Sequence, residues 1–312
     1  MFDGIRRTLV VSAVLSSLWG CAAAQPQAQV AAAPSEARPS SPPAPVSAPP
    51  SDFLATRAKF PTHLTHHGPS PQQYPPWPTV PGLTVTDYPS AGRMLKGIML
   101  NPANESLVRH GKKPVLVYLH GGFALGKEDI ADTVPFLQAG FIVWAPALRG
   151  ENGNPGDFEF AFGELDDARA AIDFARTLPP ADPSRVVIFG HSLGGMLTSL
   201  LSLDPSLPVL DTGSAGGMYE SSIFDQFPIP FEDSPMERRL RLFSMNLSDM
   251  KQPHFACAGE RDPYPVQVLQ AIMPQAKAEH LPLEAKVVPG DHHSSLEGCM
   301  NAYLARVTAK MR

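Results

Sequence analysis

Short apolar runs alternating with helical segments constrain this chain more than any other feature. Residues 114–119, 141–145 and 185–189 are each five or six residues long and apolar almost throughout. A strand with one wet face alternates apolar and polar side chains, so a run apolar on both parities is buried on both faces. Between these runs lie helical periodicities. Residues 129–138 place Ile130, Val134 and Leu137 on one face and end at Gly140. Residues 164–178 space Leu165, Ala168, Ile172 and Ala175 in the same way and stop at Pro179-Pro180. Residues 83–88 and 93–100 read as an opening antiparallel pair, and 254–258 and 283–288 as later strands. Leu296, Cys299, Met300, Tyr303, Leu304 and Val307 form the apolar face of a closing helix. Strand and helix in alternation predict an α/β fold, a mainly parallel sheet with helices on both faces. Ligands bind such sheets at the carboxyl ends of the strands.

Composition narrows the function classes. The 312 residues are 43% hydrophobic, enough for one sizeable core in a domain of over 200 residues. Net charge is −5, from 25 basic and 30 acidic residues, and no stripe of Lys or Arg tracks a phosphate backbone, so a nucleic-acid partner is excluded. Cys21, Cys257 and Cys299 include no Cys-x-x-Cys, which argues against a zinc ribbon or a thioredoxin-like site.

The chain divides into four parts. Residues 1–20 read as an export signal: Arg6 and Arg7 precede an apolar stretch, 8–18, too short for a permanent membrane span. Leu18-Trp19-Gly20-Cys21 resembles a bacterial lipobox, with Trp19 a bulky departure from it. Cys21 is thus the expected lipid-attachment residue, and Ala22 after it implies an outer-membrane lipoprotein facing the periplasm. The alternative is an ordinary signal cleaved at Ala22-Ala23-Ala24. Residues 21–51 are a Pro/Ala/Ser tether that cannot bury enough apolar surface to offset its ordering entropy. Residues 52–81 are expected to pack as an irregular arm. His63, His66 and His67 cluster there, read as polar surface in preference to a metal site. Residues 82–312 form the main domain, in which 216–250 interrupts the alternation and is either a cap over the pocket or a packed surface excursion. Cys257 and Cys299, on a core strand and the closing helix, either pair or stay as buried thiols.

The chemistry centres on Gly190-His191-Ser192-Leu193-Gly194-Gly195, which follows a buried strand and opens an apolar helix. That is the setting of a nucleophile elbow, in which a strained turn lifts the serine hydroxyl above the sheet. A serine hydroxyl needs a base, and the base needs an orienting acid. In this fold they follow in the order serine, acid, histidine. Asp262 lies after the 254–258 strand, with Glu260 as an alternative acid. His292 and His293 lie after the 283–288 strand, with Asp291 beside them as a further candidate acid. Tyr118-Leu-His-Gly-Gly-Phe123 is the type of loop that supplies an oxyanion donor. Gly122 is the first choice for that donor and Phe123 the alternative; the N–H of Leu193 is the second donor. Arg149 and Glu151 are read as a structural loop pair in preference to substrate ligands. No metal or organic cofactor is required.

At these residues the chain resembles the prolyl oligopeptidase family of serine hydrolases, in a catalytic-domain-only form. The resemblance runs from about residue 114 and rests on HGGF, ALRGENGN (147–154), GELDD (163–167), DPSR (182–185), GHSLGG, GERD (259–262) and PGDH (289–292). It implies the α/β-hydrolase fold, with His292 as the catalytic histidine and His293 in the following place. It also implies an ester or peptide substrate. Family peptidases carry a β-propeller ahead of this domain, and about thirty ordered residues are too few for two blades. A small ester is therefore ranked slightly ahead of a peptide. The expected reaction is acyl transfer through Ser192, Asp262 and His292; the alternative is a non-catalytic binding lipoprotein on the same scaffold.

Overall fold

The computed structural model describes residues 52–311 apart from Pro75 and Val80. The expected signal, Cys21 and the tether lie outside the described residues.

Eight strands form one sheet in the order β1-β2-β4-β3-β5-β6-β7-β8. β1 (Leu83–Ser90) and β2 (Arg93–Leu100) form the antiparallel hairpin, and β2 runs antiparallel to β4 (Ile142–Pro146). From β4 onward every pairing is parallel, through β3 (Lys113–Leu119), β5 (Ala181–His191), β6 (Asp211–Ala215), β7 (His254–Gly259) and β8 (Leu283–Val288). The three apolar runs are β3, β4 and the body of β5, and Val115–Leu119, Ile142–Ala145 and Val186–Phe189 are buried throughout. Helices α4 (Gly163–Thr177) and α5 (Leu193–Leu201) pack against the sheet on one cluster of core side chains. α8 (Leu296–Lys310) seats Cys299, Met300, Tyr303 and Val307 in the other.

The structure departs from the sequence reading in four places. The helix expected over 129–138 is two, α2 (Lys127–Asp132) and α3 (Val134–Ala139), broken at Thr133 because Pro135 cannot donate to the preceding turn. The arm is not irregular throughout, since α1 (Phe53–Lys59) opens it, capped by Asp52. β6 and the long helix α7 (Pro263–Ala278) were not anticipated. Of the two readings of the cysteines, the paired one is observed: Cys257 and Cys299 form a disulfide joining β7 to α8.

The 216–250 segment contains a 3-10 turn (Ser221–Asp225), α6 (Pro235–Arg239) and a second 3-10 turn (Ser244–Asp249). It packs on the loops around the carboxyl ends of the strands: Phe227 lies 5.5 Å from Phe123, and Phe224 lies 5.4 Å from Phe160.

Candidate active site

Ser192 occupies the one-residue turn between β5 and α5, at φ 53° and ψ −112°. A side-chain-bearing residue pays about 1–3 kcal/mol for such a conformation, so the surroundings must impose it. The glycines permit it. A Cβ on Gly190 would collide with the Gly194 carbonyl, and one on Gly194 with the Leu119 carbonyl. Strand and helix can therefore cross at backbone contact only with hydrogen at both positions. Two backbone bonds lock the turn: Ser192 N–H donates to Ala215 O (2.9 Å) and Gly194 N–H to His120 O (3.1 Å). Leu193 is the first residue of α5, where an N–H has no intrahelical acceptor.

His292 and Asp262 meet at the same edge. His292 Nδ1 lies 2.6 Å from Asp262 Oδ2. A carboxylate only accepts, so Nδ1 carries the proton and Nε2 is left as the basic nitrogen. Asp262 is buried, while the imidazole is about one-third exposed. The pair stands beside the serine turn. Gly216 follows Ala215, the acceptor of the Ser192 N–H, and a Cβ on Gly216 would lie 2.9 Å from His292 Cε1 and 3.3 Å from Asp262 Oδ2. The competing residues, His293, Glu260 and Asp291, are all exposed. Glu260 faces Arg261 at 3.3 Å. Asp291 caps the 291–294 turn, and the hydrogen bonds from Ser294 hold its carboxyl down at about 2.

The His191 ring packs against that of His292 at 4.9 Å, and its Nε2 donates to the His292 carbonyl at 3.0 Å. Burial is the main reason that its pKa falls to about 4, aided by the neighbouring histidines. The ring is thus neutral at physiological pH and adds no charge beside His292.

The loop after β3 is held by a second histidine. His120 Nε2 lies 3.0 Å from Glu151 Oε2, and His120 Nδ1 lies 2.9 Å from Gly121 O. Both partners are acceptors, so both nitrogens donate and the ring is an imidazolium. Burial opposes that charge, but Glu151 outweighs it and raises the pKa to about 9. The Gly121 carbonyl and the Gly122 N–H belong to one trans peptide and point in opposite directions. Fixing the carbonyl inward turns the Gly122 N–H outward. Gly122 itself has φ 66°. Phe123 N–H is already engaged, donating to Gln72 Oε1 at 2.9 Å. Arg149 does not form the expected pair with Glu151: it is buried and bonds Asp167 and Glu159, partners that raise its pKa against the pull of burial. Among the arm histidines, His67 Nδ1 lies 2.8 Å from Asp157 and His63 lies 3.8 Å from Glu232. Among the described residues no group of three or more His, Cys, Asp or Glu side chains is placed to hold a metal ion.

Reasoning from sequence named Ser192, Asp262, His292, Gly122 and Leu193, all of which lie at the carboxyl ends of β3, β5, β7 and β8. It assigned no part to His120, His191, Ser70 or Gln72. For the first two, their place inside HGGF and GHSLGG was the available signal.

A sheet of this order with a strained serine turn after its fifth strand is the α/β-hydrolase fold. Residues 116–256 match the model described as the alpha/beta hydrolase family. A curated relative, an uncharacterized peptidase of Bacillus subtilis (strain 168), YtmA, is 30% identical over 132 residues, which are 42% of this chain and 49% of that one. The chain thus spans about half the length of that relative. A puromycin-hydrolyzing peptidase of Mycobacterium tuberculosis superposes with TM-score 0.63 at 18% identity, covering 73% of this chain and 39% of that one. An acylaminoacyl peptidase of Pyrococcus horikoshii gives 0.56 at 22% identity, over 73% and 40%. The esterase Est22 gives 0.58 at 17% identity, over 74% and 81%.

Proposed function

We propose that this protein is a serine hydrolase that cleaves small carboxylic esters, and secondarily short peptides, through an acyl-enzyme on Ser192. The observation that carries the proposal is the 2.6 Å His292–Asp262 pair standing against Gly216, one residue from the backbone that anchors the Ser192 turn.

Each step follows from a named atom. His292 Nε2 accepts the Ser192 proton as Oγ attacks the carbonyl carbon. Asp262 holds the imidazole in the tautomer that leaves Nε2 basic and stabilises the imidazolium that forms. The negative charge on the substrate oxygen falls between the N–H of Leu193 and that of Gly122, donors fixed before the reaction begins. The imidazolium protonates the leaving group, and water then repeats the sequence on the acyl-enzyme. Gly122 is preferred to Phe123 as donor because Gln72 occupies the Phe123 N–H. Phe123 packs edge-on against Phe158 and Phe227 at 5.3 and 5.5 Å, an apolar wall suited to an uncharged acyl group. Esters rank ahead of amides because expelling an alkoxide asks less of the imidazolium than expelling an amine.

The likeness to peptidases and to an esterase supports the hydrolase class. The same proposal places the protein outside the cytoplasm, anchored through Cys21 to a membrane, with the outer membrane facing the periplasm as the assigned site. The lipobox-like segment and the Cys257–Cys299 disulfide support this reading, since such bonds persist in oxidising compartments. The test is a panel of p-nitrophenyl esters of graded chain length beside aminoacyl and prolyl amides, run on wild type and Ser192→Ala. Turnover of short esters that Ser192→Ala abolishes is the expected result. Equal turnover by the variant refutes the proposal, and no turnover of any substrate favours a binding protein.

A further inference from the structure

We propose that the arm ahead of the hydrolase domain is part of the catalytic apparatus, with Ser70 and Gln72 as positioning residues that hold the oxyanion loop. This rests on the serine-hydrolase reading of Ser192 and Gly122.

The arm grips the backbone of Phe123 at both of its polar groups. Ser70 Oγ donates to Phe123 O at 2.6 Å, and Phe123 N–H donates to Gln72 Oε1 at 2.9 Å. A residue whose N–H and C=O are both tied loses its freedom to rotate in φ and ψ. The next residue back is Gly122, the most permissive residue type, here at φ 66°. On its other side the His120 imidazolium fixes the Gly121 carbonyl. Gly122 therefore sits between two clamped peptide planes, one held from inside the domain and one from the arm. The direction of its N–H follows from both clamps. Releasing the arm clamp lets the peptide swing, and a displacement of about 1 Å in a catalytic group costs on the order of 100-fold in rate.

The arm has the fixity that this duty requires. Thr62 Oγ1 donates to Glu237 Oε2 at 2.9 Å, and His63 N–H donates to Glu237 Oε1 at 2.6 Å. Thr65 N–H donates to Pro230 O, beside a β-bridge between Leu64 and Phe231. Phe158 N–H donates to Gly68 O and Gly68 N–H to Asp157 Oδ1, both at 2.9 Å. Ser70, itself buried, also donates its N–H to Gly150 O at 2.9 Å. Residues 62–70 thus run as a strap from the 230–241 segment across the loop after β4 and arrive at Phe123 with little slack. Nothing in the local sequence requires a Ser-x-Gln at this point, and the two side chains converge on one residue of the HGGF loop.

The test uses the full-length chain with active sites counted by a fluorophosphonate probe taken to completion. Gln72→Met keeps the length of the side chain and removes the acceptor; Ser70→Ala removes the hydroxyl and Ser70→Thr restores it. Steady-state hydrolysis of a p-nitrophenyl ester, per labelled site, gives kcat and KM, and thermal melting reports the fold. The expected result is a fall in kcat of roughly 10- to 100-fold in Gln72→Met and Ser70→Ala, with KM within about twofold and recovery of most of kcat in Ser70→Thr. An unchanged kcat in Gln72→Met overturns the proposal. A raised kcat also overturns it, by making Gln72 a plug on the donor, and so does a raised KM at constant kcat, which makes the arm a wall of the binding site only. Should Ser70→Ala fail to fold, Gln72→Met decides, since that side chain lies on the exposed part of the arm. A wild type that takes no label overturns the serine-hydrolase reading, and this proposal with it.

Discussion

Glu151→Gln isolates the charge that holds the HGGF loop. Glu151 is fully buried, and a single oxygen, Oε2, accepts both from His120 Nε2 at 3.0 Å and from Leu148 N–H at 2.8 Å. The carbonyl oxygen of glutamine can take both bonds, and its amide nitrogen replaces Oε1, which has no partner among the described residues. Shape is kept while the anion, and with it the charge-assisted bond to His120, goes. The His120 pKa stands at about 9 against 6.5 for a free imidazole, raised by Glu151 against the opposing pull of burial. At about 1.4 kcal/mol per tenfold in proton affinity, that rise is worth on the order of 3 kcal/mol, at the low end of the cost of breaking a buried pair. Because the folded pKa is the higher one, this stability is fully present below pH 6.5 and is lost as pH rises through about 9. Urea unfolding of wild type and variant at pH 6, 8 and 10 is the assay. The variant should be weaker by about 3 kcal/mol at pH 6, or roughly 6–12 °C in Tm, and the gap should close by pH 10. A gap of the same size at all three pH values refutes the reasoning, because the lost stability would then not come from the imidazolium.

Three further outcomes follow from other residues. Glu164 is fully buried with Oε2 unpaired, and burial pushes its carboxyl up to about 8. Glu164→Gln should therefore change stability little at pH 4.5 and gain on the order of 3 kcal/mol over wild type by pH 7–8 in urea titrations, because between about pH 4.5 and 8 the folded carboxyl keeps a proton that the unfolded chain has released. Replacing Cys257 and Cys299 together by Ala opens a loop of 42 residues and should cost about 4 kcal/mol in denaturant unfolding, with reduction giving a similar loss. Asp262→Asn should lower kcat by about 10⁴-fold with KM little changed, because the wrong nitrogen of His292 then carries the proton; a loss under tenfold would remove Asp262 from the mechanism.

Parts of the fold whose burial is written as apolar side chains were legible in the chain itself. β3, β4 and β5 are such runs, and α4 keeps its apolar spacing to the end. β6 was not legible, since Asp-Thr-Gly-Ser-Ala carries no apolar pattern; it is central because small residues admit the Tyr303 and Phe189 rings, which would collide with a Cβ at Gly213. A strand selected for room reads like a turn. The break at Thr133 was hidden for a related reason, as Ile130, Val134 and Leu137 hold helical spacing across it. The proposed triad was legible because each member ends a strand and its loop carries a local motif. Between His292 and His293, neighbours of like chemistry, only the resemblance to relatives made a choice. Ser70 and Gln72 could not be found in advance. Their work depends on where a Pro-rich arm lands fifty residues from its target, and no periodicity encodes that landing.

The central claim is that His292, oriented by Asp262, activates Ser192. It is tested most directly by the rate and place of fluorophosphonate attachment in wild type, His292→Ala and His293→Ala, read by intact mass and peptide mapping. A single adduct on Ser192, formed at near wild-type rate in His293→Ala and slowed by several orders of magnitude in His292→Ala, is the predicted outcome. An adduct on another residue, or labelling of Ser192 that is indifferent to His292, contradicts it.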